Sequence, residues 1–188
     1  MSLRELLSIS PPPRTPKETG TPKAWEKIGQ RLGVTLPQDY KDLIDHYGTG
    51  TFSDSIIILN PFAENESLNL FHTLETHHRA TQMAQLVVDP AWTAIQPFEL
   101  YPAPQGLLPW GATVNYEKIF FWQVDGAPEK WVTVFYNLRN GEYEVWKMPC
   151  TNLLARLFSG ALQSVLLPEY SPSKSKTYSF KSHQEVTL

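Results

Sequence analysis

Four side chains on one stretch, "FHTLETHHRATQMAQLVV" (71–88), are of the types that bind metals or carry protons: His72, Glu75, His77 and His78. A zinc-hydrolase helix needs two histidines at i and i+4, so that both rings leave one face, with a glutamate between them as general base. His72 and His77 are five apart and fall on different faces. No cysteine or further histidine completes a ligand set. Glu75 and Arg79, at i and i+4, read as a surface ion pair. Cys150 follows Pro149 at a predicted helix start, a position that lowers a thiol pKa, but no motif supplies a base for it. His46, between Asp45 and Tyr47, reads as a surface residue at a helix C-terminus. There is no phosphate loop, dinucleotide glycine pattern or Gly-x-Ser-x-Gly elbow. The expectation is therefore no catalytic residue, no metal ligand and no cofactor: a protein that is not an enzyme.

With chemistry set aside, charge and length define what the chain can meet. Its 188 residues suit one domain with a full core, and one cysteine excludes an internal disulfide framework and fits a reducing compartment. No signal peptide is legible at "MSLRELLSIS", and no apolar run reaches the roughly 20 residues of a membrane span. A cytoplasmic protein without membrane association is expected. The net charge is −3, yet the ends are basic, and residues 24–170 carry −7. An acidic middle argues against nucleic acid, which needs a basic surface. It suits a basic protein partner, because complementary potentials speed association.

The elements that position these groups are punctuated by proline and glycine. Residues 1–21 are a proline-rich N-terminal segment, 22–167 an α+β domain, and 168–188 a Ser/Lys-rich tail. Thr21 and Pro22 open a first helix with Trp25, Ile28 and Leu32 on one face, ended by Gly33. Pro37 opens a second, with Tyr40, Leu43, Ile44 and Tyr47 at i, i+3, i+4 and i+7, stopped by Gly48. Thr49–Asn60 reads as a turn into one buried strand at 55–59. A third helix is expected over about 67–87, then a proline-rich loop over 89–109. Short strands flank Asn115-Tyr116-Glu117, and Asn140-Gly141 marks a hairpin between strands at 131–138 and 142–148. Thr151 is expected to cap a final helix carrying Leu153, Leu154, Leu157, Phe158 and Leu162. Helices, an antiparallel meander and a closing helix make an α+β fold, a mostly antiparallel sheet packed against helices.

These landmarks carry a resemblance. Trp25, then Leu36-Pro37 and Asp39-Tyr40 at a helix start, Tyr47-Gly48 at its end, Pro109-Trp110-Gly111, Asn115-Tyr116-Glu117, Phe120-Phe121-Trp122 and the Leu153–Phe158 helix occur in an order that resembles the SUKH superfamily. Tyr116 stands where the family's turn usually has glycine. That superfamily includes the yeast cell-wall assembly regulators and many bacterial immunity proteins. The resemblance covers about residues 22–162. It implies a non-enzymatic protein-binding domain. One implied function is an immunity protein that binds and neutralises a cognate toxin, such as a nuclease. The other is a regulatory protein-interaction scaffold.

The partner, expected to be a basic toxin domain, should meet side chains that decorate the scaffold without building it. The expected set is Asp54 in the turn before the first strand, Glu64 and Glu66 after Pro61, Glu117 in the β turn, Asp125 and Glu129 before Trp131, and Glu142 and Glu144 on the exposed side of the hairpin. Tyr47 and Tyr116 are the expected aromatic anchors. Helices are expected to cover one sheet face and leave the other free.

Overall fold

The computed structural model describes residues 3–86, 97–167 and 178–183. Part of the proline-rich 89–109 loop therefore lies outside the described residues. The helices are α1 (Leu3–Ile9), α2 (Pro22–Leu32), α3 (Gln38–Tyr47), α4 (Leu70–Leu86) and α5 (Cys150–Ser159). The strands are β1 (Gly50–Phe52), β2 (Ile56–Ile58), β3 (Leu107–Thr113), β4 (Lys118–Gln123), β5 (Val132–Asn137), β6 (Tyr143–Trp146) and β7 (Phe180–Ser182). They form one seven-stranded sheet in the order β6-β5-β4-β3-β2-β1-β7, with every neighbouring pair antiparallel. The fold is α+β, as the element order predicts.

The helix boundaries follow local chemistry. Thr21 accepts the Ala24 N–H at the start of α2, Pro22 occupies its first turn, and Gly33 ends it at φ 76°. Pro37 sits just before α3. Gly48, after α3, combines φ 68° with ψ −150°, which only glycine adopts readily, and a Cβ there would lie 2.1 Å from the Lys17 carbonyl oxygen.

The expected single strand at 55–59 is instead a hairpin. Ser53 and Asp54, both at φ 52°, turn β1 back into β2. Gly50 makes room for β7: a Cβ at Gly50 would lie 2.2 Å from the Lys181 carbonyl oxygen. Thus the Ser/Lys-rich stretch, expected as a tail, supplies a sheet strand whose Phe180 ring packs on Tyr47 and Phe52. Three residues are too few to show a period, so composition hid β7. The N-terminal segment likewise contributes α1, which packs on α5 with Leu6 wholly buried.

Strand alternation divides the sheet into two faces. Trp110, Phe120, Trp122, Phe135 and Trp146 share one face with Tyr40, Leu43 and Ile44 of α3 and Leu153, Leu154 and Leu157 of α5 in a single core. Phe120 and Phe135 stack at 4.1 Å, with Trp110 5.0 Å from Phe120. The core positions read from the sequence, Trp25, Leu43, Ile44, Ile57, Trp110 and Leu157, are all buried. The Pro109–Gly111 bulge admits a proline to a central strand.

The second face is not left free as expected. Ile119, Phe121, Val134 and Tyr136 form a smaller core with Leu100, Leu107 and Ala112, and Phe98 packs against it. His77 of α4 lies 5.7 Å from the Phe121 ring. Toward β6 this face opens, where Tyr143 and Val145 are exposed.

Candidate binding surface

Topology sorts the candidate residues into two ends of the sheet. The turns at 53–55, 114–117 and 138–142 sit at one end, because β1, β3 and β5 all run toward it. The 124–131 loop between β4 and β5 sits at the other.

At the turn end nearly every candidate is already engaged. Asp54 pairs with Lys181 of β7. Glu117 lies 3.0 Å from the Arg139 guanidinium. Glu142 accepts from the Asn140 side chain at 2.8 Å. Tyr116 takes the left-handed conformation at φ 55° without being glycine, and its hydroxyl donates to the Ser67 carbonyl. Burial pushes the Tyr116 pKa up to about 12. This contact draws the turn toward the segment that carries Glu66, itself 3.9 Å from His72. Glu64 lies at the opposite end, near Thr49 before β1 and His183 after β7; it is exposed, and its N–H donates to the Glu18 carboxylate at 2.6 Å.

Two expected residues turn inward, Tyr47 fully and Glu144 in part. Tyr47 is buried, and its hydroxyl donates to the Ser10 carbonyl at 2.6 Å. Burial raises its pKa. It is a core residue, because the segment before α2 folds back over the end of α3. Glu144 lies on the inner side of β6 with Trp146, where it accepts from the Ser164 hydroxyl and, at 3.0 Å, from the Val165 N–H. The expected hairpin faces were inverted: Trp146 is inside, and Tyr143 and Val145 are outside. A large aromatic residue at one register of an edge strand was the usable signal, since it outweighs a carboxylate in choosing the buried side.

The loop end is different. Asp125 and Glu129 are exposed, and neither meets a cation within ion-pair distance among the described residues. Gln105 approaches Asp125 at 3.5 Å. The loop is held by Trp131, whose indole N–H donates to the Gly126 carbonyl at 3.2 Å.

Behind this loop lies a helix junction that the sequence reading divided among separate roles. Asp39 of α3 accepts the Thr151 N–H at 3.1 Å, the Thr151 hydroxyl at 3.3 Å and the Cys150 thiol at 3.1 Å, all on Oδ2. Asp39 therefore caps α5 from another helix, in place of the expected Thr151 cap. Cys150 is buried, and burial, with Asp39 beside it, pushes its thiol pKa up, opposite to the lowering expected at a helix start.

The histidines diverge. His72 approaches Glu66, His77 packs on Phe121, and His78 Nε2 lies 2.6 Å from the Tyr101 carbonyl oxygen. Among the described residues, no three His, Cys, Asp or Glu side chains are grouped to hold a metal ion. No helix among them is long and apolar enough to cross a membrane.

The order of helices, meander and closing helix, with Trp25, Tyr40 and Trp110 in one core, agrees with a family comparison. A family profile described as SMI1-KNR4 cell-wall, of the SUKH group, matches residues 22–148. The chain belongs to the SUKH superfamily. SUKH domains are in general non-enzymatic and bind other proteins. No curated protein and no solved structure matches this chain. Within the SUKH frame, Trp25 is held by its indole N–H on Asp45 at 3.2 Å and by edge contacts with Tyr40 and Phe62. Those contacts make it a packing residue.

Proposed function

We propose that this SUKH domain is a cytoplasmic immunity protein that binds a basic toxin domain, such as a nuclease, and blocks it. The observation that carries the reading is the pair of exposed carboxylates on the 124–131 loop, Asp125 and Glu129, which no cation of the described residues neutralises. They project from a protein whose residues 24–170 carry −7. Exposed like charge on a rigid loop raises the encounter rate with an oppositely charged surface. Asp54, Glu117 and Glu142 have local partners, so they contribute long-range field more than direct contacts. Glu64 and Glu66 extend the acidic rim.

The test is to co-express the tagged chain with the toxin-like product of an adjacent gene, and to measure both co-purification and inhibition. The expected result is a one-to-one complex with loss of toxin activity, and association that slows as salt rises. A purified toxin that remains fully active at saturating chain would overturn the reading. The description of the matched profile favours a second reading, a regulatory protein-interaction scaffold. A stable complex with a cell-wall biosynthetic or signalling protein, without toxin inhibition, would select it.

A further inference from the structure

The loop end of the sheet also holds a small cavity of about 90 Å³. Trp122 and Trp131 line it, with ring centroids 5.9 Å apart and only 2% and 4% of their surface exposed. Pro37 and Pro149, the residues that precede α3 and α5, and Pro128 of the 124–131 loop complete a rigid frame. Two carboxylates, Asp39 and Glu129, supply its charge. Lys130 adjoins Glu129 in the chain but does not line the cavity.

Size and chemistry restrict what can enter. A volume of about 90 Å³ suits a guanidinium or ammonium head and is small for a nucleotide. Aromatic walls with carboxylates attract cations and repel anions. At the start of α5, where an anion is favoured, the Thr151 N–H and hydroxyl are already answered by Asp39 through Oδ2. Asp39 Oδ1 and the whole Glu129 carboxylate have no partner among the described residues. The site is preorganised: Trp131 is tied to Gly126, and proline walls lose little freedom on binding.

We propose that this cavity receives the guanidinium of an arginine presented by a protein partner, hydrogen-bonded by Glu129 and Asp39 Oδ1 at the edge of the Trp122–Trp131 pair. Arginine fits better than lysine because its flat, delocalised cation pairs bidentately with a carboxylate and is more weakly hydrated than an ammonium. In naming a protein as the source, the proposal rests on the reading of the domain as a binder of a basic partner. The recognition of the cation does not depend on that reading.

The test needs no partner. Indole N–H resonances of the full chain are followed by NMR during titration with N-acetyl-arginine amide, and with N-acetyl-citrulline amide as the neutral isostere. Saturable shifts of the Trp122 and Trp131 signals are expected with the arginine probe, roughly tenfold weaker with citrulline and in Glu129→Gln protein. Equal responses to both probes, responses confined to other tryptophans, or a response unchanged in Glu129→Gln protein would overturn it. A lysine probe that outcompetes arginine would overturn the guanidinium assignment. The two readings fail separately. A chain that binds the arginine probe but leaves the toxin active removes only the immunity reading. Full inhibition by Glu129→Gln protein, with no probe response in either form, removes only the pocket.

Discussion

The two faces of the sheet solve the same burial problem to different depths. On one, Trp110, Phe120, Trp122, Phe135 and Trp146 form a continuous aromatic layer under α3 and α5. On the other, Ile119, Phe121 and Val134 are buried, but the covering includes a histidine, and by β6 it has given way to exposed Tyr143 and Val145. The helices that cover the first face are amphipathic, whereas α4 carries His72, His77 and His78 along its length. The difference shows where stability is concentrated and where the surface is free to vary. Stability sits in the aromatic layer, and the binding proposed above is assigned to rims and loops that the layer holds.

The sharpest break in the comparison comes from the aromatic layer. Phe120→Ala should cost about 3–5 kcal/mol, because it opens a cavity between Trp110 and Phe135. Thermal or urea unfolding measures it. A cost below about 1 kcal/mol would mean that the layer collapses around the gap and is not the structural centre.

The second face should respond to acid. Burial, with His78 nearby, lowers the His77 pKa from 6.5 to about 4. The folded state then holds His77 neutral while the unfolded chain protonates near 6.5. Stability from this group is present above pH 6.5 and is lost as pH falls toward about 4. The loss should be about 1–3 kcal/mol, since the ring is partly covered. Urea midpoints from pH 7.5 to 4 should fall for the native chain, and fall less for His77→Gln. Parallel curves for the two proteins would show that other groups carry the acid sensitivity.

A smaller effect sharpens the boundary where the second face opens. Val145→Thr, on the exposed side of the edge strand, should change stability by about 0.5 kcal/mol or less. A larger loss in equilibrium unfolding would show that Val145 is covered in solution.

The smallest effect on folding should accompany the largest on association. Asp125→Lys and Glu129→Lys should leave the melting temperature almost unchanged, while slowing binding to a basic partner and reducing its salt sensitivity. Glu117→Lys, at the opposite end, should slow association less and lose its pairing with Arg139. On-rates unchanged from the native chain in all three variants at low salt would mean that neither end of the sheet faces the partner.

Much of this molecule is written in local sequence. Thr21-Pro22 and Gly33 bound α2, Pro37 and Gly48 bound α3, and Asn140-Gly141 turns the last hairpin, because caps and turns are settled by residues a few positions apart. The periodic apolar residues of α3 and α5 named the core, because a helix can bury only one stripe. The candidate surface was less legible. Asp125 and Glu129 were found as loop carboxylates, but nothing local shows that they lack cations while Glu117 and Asp54 have them. Tyr47 read as an anchor until the segment before α2 folded back and offered it the Ser10 carbonyl. Asp39 read as a first-turn carboxylate of its own helix, and only packing brings the start of α5, 111 residues away, within hydrogen-bond reach. Likewise β7 became a strand only when Gly50 let it approach β1. Local chemistry determines where elements begin and end. Which groups meet is decided by the free energy of burying apolar surface across the whole chain, a sum that no short window contains.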